Sequence, residues 1–170
     1  MKVLQINTTA NSGSHGRIAE GIGRSLIAEG NESLIAYGRT ANPSVSELIK
    51  IGNQPDRILH LAKSRIIDRH GFGSAKATES FVRQVIEIDP DIIHLHNIHG
   101  YYLNVKVLFE FLKGRRRPVV WTFHDCWPFT GHCSYFDAVN CYKWQSGCYA
   151  CPNTRGYPAS WFIDNSLLNY

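Results

Sequence analysis

The sequence predicts an α/β fold: a Rossmann-like, three-layer domain in which a parallel sheet carries helices on both faces, with a cysteine-rich irregular insertion near its end. Three observations predict it. Short apolar, β-branched runs alternate along the chain with stretches whose apolar residues recur every three or four positions, as strands alternating with helices do. The run from Pro118 to Phe123 shows little polar alternation, which fits a strand covered on both faces. From Cys126 to Pro158 neither period survives.

Val3, Leu4 and Ile6 form the first strand, which stops at a polar stretch from Asn7 to Gly16. Helix-spaced Ile18, Ile22 and Leu26 follow and close at Gly30. Ser33 to Tyr37 is a second strand, and Ala41 to Ile51 a loop containing Pro43, with a short edge strand near Leu48 to Ile51. Ile58, Leu61, Ala62, Ile66 and Ile67 keep helical spacing, as do Phe81, Val82, Val85 and Ile86 beyond a Gly71-Phe72-Gly73-Ser74 break. Asp89-Pro90 ends that second helix. Asp91 to His96 is the clearest internal strand, with Ile92, His94 and His96 on one face and Ile93 and Leu95 on the other. A helix carrying Val105, Leu108, Phe109 and Leu112 stops at Gly114, and Pro118 to Phe123 gives the last strand. Trp161 to Tyr170 begins a further amphipathic stretch.

One domain spanning residues 1–170 is expected, with the cysteine-rich segment at 126–158. A net charge of +4 without basic runs interleaved with aromatics argues against a nucleic-acid partner and for small acidic or phosphorylated ones. The apolar run at the start is too short for a signal peptide and no segment approaches a membrane span, so a cytoplasmic protein is expected. In that reducing compartment, five cysteines between Cys126 and Cys151 point to a metal site or free thiols before disulfides.

A parallel sheet binds ligands beyond the carboxyl ends of its strands, here after Asn7, His96 and His124. The Gly13-Ser14-His15-Gly16-Arg17 stretch offers backbone N–H groups and a helix N-terminus to a phosphate, and serves equally as a plain tight turn. It is not the dinucleotide fingerprint, and Tyr37-Gly38-Arg39 ends the second strand without an acid, which disfavours a dehydrogenase. His94 and His96 are spaced as a metal-binding pair on one strand face, or as core histidines with satisfied hydrogen bonds. His124-Asp125 combines a base with an acid, although adjacent residues rarely pair with each other.

Cys133, Cys141, Cys148 and Cys151 follow a C-x7-C-x6-C-x2-C spacing. A structural zinc held by these four would fold an aperiodic segment, because metal binding adds free energy where a core cannot. Free thiols are the alternative. Arg115-Arg116-Arg117 complements a helix C-terminus, or makes weak contact with an anionic membrane surface.

The segments MKVLQIN with its glycine-rich loop, DIIHLHNIHGYYLN, PVVWTFHDCWPFTGHC and CYKWQSGCYACP together resemble the N-terminal domain of family-4 retaining glycosyltransferases, especially bacterial surface-polysaccharide enzymes. The likeness covers nearly the whole chain, and the glycine-rich loop departs from the family's usual adjacent glycine pair. The resemblance implies the acceptor-side half of a two-domain GT-B enzyme whose C-terminal, donor-binding half is absent here. It implies transfer from a nucleotide diphosphate sugar to a hydroxyl of a glycan or lipid-linked acceptor, with retention, at the inner face of the membrane. Gly13, Ser14 and Gly16 would line the donor diphosphate, His124 would approach the transferred sugar, and His96, Asn97, Tyr102 and Asn104 would face the acceptor. No catalytic metal is expected. This half alone is expected to be inactive.

Two other classes compete: a metallohydrolase using His94, His96, His124 and Asp125, and a zinc-stabilised, non-catalytic binding module. The hydrolase needs those side chains to converge on one ion.

Overall fold

A computed structural model describes residues 1–170. Its elements run β1 (Lys2–Asn7), α1 (Gly13–Ala28), β2 (Glu32–Tyr37), β3 (Glu47–Lys50), α2 (Gln54–Ile67), α3 (Ala75–Ile88), β4 (Ile92–Leu95), α4 (Val105–Gly114), β5 (Val119–Trp121) and α5 (Ser166–Asn169). The five strands form one all-parallel sheet in the order β3-β2-β1-β4-β5.

Alternation along β1 divides the two faces. Leu4 and Ile6 join Ile93, Leu95, Phe81, Val85, Leu108 and Leu112 in the larger core, under α3 and α4. On the other face, Ile35 packs with Ala19 of α1, and the Gln5 amide donates to the Ala19 carbonyl at 2.9 Å. Helices therefore cover both faces, as the sequence predicts. Phe81 and Val85 are fully buried, and truncating such an aromatic to alanine costs about 3–5 kcal/mol.

Two boundaries differ from expectation. α1 starts at Gly13, so the glycine-rich stretch is the helix's first turn; Gly13 takes φ +66, which opens the turn without a Cβ penalty. β5, expected to be covered on both faces, pairs only with β4, and its Val119 and Val120 are exposed.

Arg115 and Arg117 reach Asp89 and Asp91 at 3.0–3.2 Å, tying the start of β5 to the start of β4. Two of the three consecutive arginines are thus spent on internal ion pairs at the sheet edge opposite the strands' carboxyl ends.

From Cys126 onward the chain is irregular, with single 3-10 turns at Trp127–Phe129, Asp137–Val139 and Lys143–Gln145. An aromatic cluster organises it: Trp144 meets Phe129 and Phe136 at 5.0 and 5.2 Å between ring centroids. Thr130 and Ser134 add backbone anchors, Thr130 Oγ1 donating to the Cys133 carbonyl at 2.6 Å.

Candidate functional site

The sheet order places a topological switch between β1 and β4. From β1 the chain turns into α1 on one face and reaches β2, whereas the return to β4 runs over the opposite face, leaving a crevice at the carboxyl ends of β1 and β4. Asn7 and Thr8 form one lip. His96 and Asn97 form the other, with Ile6 in register with Leu95.

His96 sits at the bottom of this crevice, 1% exposed. Its Nε2 lies 3.0 Å from Gln5 Oε1 and its Nδ1 lies 3.0 Å from His124 Nε2. Burial, with His94, His124 and His15 around it, pushes the imidazole down to about 3. His124 is half-buried, and burial lowers it too, against the pull of Asp125. His15 stands across from it with ring centroids 5.9 Å apart, its Nδ1 held 2.9 Å from Asn7 Oδ1. Burial first, then His124 and His99, lower the pKa of His15 as well. The crevice therefore presents neutral imidazoles.

Above them α1 begins without a side-chain cap and with no carboxylate in its first turn, so its first N–H groups and the dipole's positive end remain available. Gly13 and Ser14 are exposed there. Gly16 is buried, and a Cβ on it would lie 2.7 Å from Thr9 Oγ1, so its lack of a side chain lets the helix sit close to the β1 loop.

Asp125 does not serve its neighbour His124. Its Oδ2 lies 2.8 Å from His99 Nε2, both side chains are under a tenth exposed, and its Oδ1 accepts the Trp127 N–H at 3.0 Å. Burial opposes ionisation, yet the His99 hydrogen bond and the Trp127 N–H outweigh it and hold the carboxyl below its ordinary range.

Two of the expected acceptor-facing residues turn inward. Tyr102 is 2% exposed, and its hydroxyl donates to the Asn97 carbonyl at 2.8 Å; burial raises its pKa far above the usual phenol value. Asn104 caps α4, accepting from Val107 N at 3.1 Å while its amide donates to the Phe72 carbonyl at 2.9 Å. Both spend their polar atoms inside the fold because the loop after β4 must be closed before α4 can start. Asn97 and His96 stay at the crevice.

The metal-dependent expectations do not fit. No group of three or more His, Cys, Asp or Glu side chains is arranged to hold a metal ion. Both nitrogens of His96 are engaged, and His94 Nε2 lies 2.8 Å from Thr122 Oγ1, so at most one nitrogen of the strand pair is left for an ion. Cys133, Cys141, Cys148 and Cys151 do border one small cavity of about 20 Å3, alongside Phe136 and Trp144. Burial raises the thiols of Cys133, Cys148 and Cys151, the last to about 11. The zinc site expected from the spacing is not supported, and Trp144, Phe129 and Phe136 pack the segment's interior.

A larger cavity of about 310 Å3 lies between α4 and the cysteine-rich segment, against Phe109, Trp121, Trp127 and the buried Asp68–His132 pair. None of His15, His96 or His124 lines it, so it adjoins the crevice without forming part of it.

Sequence reasoning missed Gln5, Asn7 and the pairing role of His99. A signal existed: Gln5 and Asn7 alternate with Leu4 and Ile6 in the central strand, and a polar side chain there must find a buried partner. The cross-strand partners could not be named without the register.

Residues 16–159 match the family model described as Glycosyltransferase Family 4. The chain is also 29% identical to the Escherichia coli (strain K12) protein described as "Putative colanic acid biosynthesis glycosyl transferase WcaC". That similarity covers 93% of this chain and 41% of the relative, so the chain spans less than half of the curated protein it resembles.

Proposed function

Because the chain belongs to glycosyltransferase family 4, we propose that it is the acceptor-side half of an enzyme that moves a sugar from a nucleotide diphosphate sugar to a hydroxyl, with retention, in surface-polysaccharide synthesis. The observation that carries the proposal is the meeting of His15, His96 and His124 beneath the uncapped start of α1 at the sheet's switch point. An anionic diphosphate suits the α1 N–H groups of Gly13, Ser14 and the residues after them, and a neutral sugar suits neutral imidazoles. His124 would approach the transferred sugar, with His96 behind it and Asn97 toward the acceptor. The relative's description as a putative colanic acid biosynthesis glycosyl transferase supports a glycan or lipid-linked acceptor. No helix here is long and apolar enough to cross a membrane.

A departing diphosphate needs cationic partners, and this crevice offers mainly backbone N–H groups and neutral rings. A second, donor-binding half would supply the charges. The complete enzyme, incubated with a panel of nucleotide diphosphate sugars and lipid-linked glycans, should release nucleoside diphosphate and form one new linkage with the donor's anomeric configuration. Product of inverted configuration, or no turnover with any donor, would sink the proposal.

A further inference from the structure

The hydrogen bonds at the crevice fix which nitrogen of each imidazole carries its proton. Gln5 Nε2 donates to the Ala19 carbonyl at 2.9 Å, so the amide's oxygen is the atom that faces His96 Nε2. That nitrogen must therefore carry the hydrogen. With one proton on the neutral ring, His96 Nδ1 is bare and accepts from His124 Nε2–H. His124 is left with a bare Nδ1.

The same logic holds across the crevice. Asn7 Nδ2 donates to the His15 carbonyl at 3.1 Å, and Asn7 Oδ1 accepts Thr8 N–H at 2.9 Å. The oxygen also faces His15 Nδ1 at 2.9 Å, so that nitrogen is the donor and His15 Nε2 is bare. Arg39 and Asp125 are the charged groups acting on His15, with opposite signs, and neither hydrogen-bonds to it. Two neighbouring rings thus each present a lone pair and no proton.

We propose that His15 and His124 form a two-acceptor clamp for the hydroxyl groups of a neutral sugar ring, with Asn7 and the Gln5–His96 pair as positioning residues that lock both rings in their accepting form. A hydroxyl donates to a bare nitrogen; a phosphate oxygen, which only accepts, is repelled by it. The clamp separates the two parts of a sugar nucleotide: its sugar end meets lone pairs and its diphosphate meets the α1 N–H groups. The choice of a sugar rests on the glycosyltransferase reading, whereas the locked tautomers do not.

The test uses the chain labelled with 15N-histidine. Wild type should show His15 protonated on Nδ1 and His124 on Nε2. Gln5→Met removes the acceptor for His96 Nε2–H, so His96 can carry its hydrogen on Nδ1 and donate to His124 Nε2; the His124 hydrogen should then appear in part on Nδ1 while His15 is unchanged. Asn7→Asp perturbs the opposite lock and should move only His15 toward its charged form, so either variant suffices if the other does not fold. Methyl α-D-glucopyranoside should shift His15 Nε2 and His124 Nδ1, and inorganic pyrophosphate should leave both unmoved. In the complete enzyme Gln5→Met should weaken apparent sugar affinity about tenfold, the worth of one hydrogen bond of about 1.4 kcal/mol.

The opposite tautomers in wild type, a glycoside that moves neither nitrogen at saturation, or pyrophosphate moving both, would each overturn the clamp. Turnover that persists unchanged in Gln5→Met after the His124 tautomer is released would overturn it while leaving the glycosyltransferase reading intact. The expected tautomers and glycoside shifts in an enzyme that turns over no nucleotide sugar would sink that reading and leave the clamp standing.

Discussion

His99 and Asp125 pair at 2.8 Å across the gap between the loop after β4 and the loop after β5. The pair joins the two segments that carry His96 and His124. Asp125 consequently acts as a strut for the crevice and not as the orienting acid of its neighbour. Asp125→Asn keeps the shape but removes the charge, and should lower stability at neutral pH by about 1–3 kcal/mol, the cost of weakening a buried charged hydrogen bond. Because the folded-state carboxyl lies below its ordinary 3.8, its contribution is present above that value and lost as pH falls through the lower folded value. Melting curves of the two proteins should therefore differ at pH 7 and converge in strong acid. Equal melting at pH 7 would remove the strut.

Acid sensitivity should set in well before carboxylates titrate. His96 and His60, each 1% exposed, are lowered to about 3 and about 4, mainly by burial, from 6.5. Between these values and 6.5 the unfolded chain binds protons that the folded chain refuses, so stability is intact above 6.5 and falls as pH drops. At pH 5 each group should cost on the order of 2 kcal/mol relative to pH 7. The midpoint of urea unfolding should fall steeply from pH 6.5 to 5, and His60→Asn should flatten the slope. A flat profile over that range would contradict the buried neutral state.

The cysteine-rich segment gives a contrasting test. With Trp144 between Phe129 and Phe136 as its core, Trp144→Ala should cost about 3 kcal/mol. Single Cys→Ser changes at Cys141, Cys148 or Cys151, which are only half-buried, should each cost less. Thermal melting ranks them directly. Cysteine variants that unfold the segment as fully as Trp144→Ala would show that the thiols, and not the rings, hold it.

Much of the fold was legible because its signals are local. The runs around Leu4, Leu34, Ile93 and Val119 became parallel strands, and the glycine or proline punctuation fell at their ends. Which residues converge was less legible. The histidines after β4 and β5 stood out by position alone, since strand ends are where such sheets bind ligands. Tyr102 and Asn104 looked equally eligible, and only the three-dimensional path shows their polar atoms closing the loop before α4. The cysteine spacing alone could not decide between a metal and free thiols, because spacing reports distance along the chain, whereas a metal needs lone pairs aimed at one point.

The last prediction concerns catalysis in the complete enzyme and follows from the position of His124 at the crevice mouth. A group that touches the sugar acts while charge develops at the reacting carbon, whereas diphosphate contacts act largely on binding. His124→Ala should therefore lower turnover more than it weakens nucleotide affinity, by on the order of 10²-fold, as for removal of one preorganised hydrogen-bonding group. His96→Ala, acting only through His124, should cost less in rate and more in melting temperature, since it also strands the buried Gln5 oxygen. Rates at saturating donor and acceptor, set beside calorimetric nucleotide binding, separate the two effects. Turnover unchanged in His124→Ala would leave that residue as scaffold, and a fall in nucleotide affinity matching the fall in rate would move it from the sugar to the diphosphate.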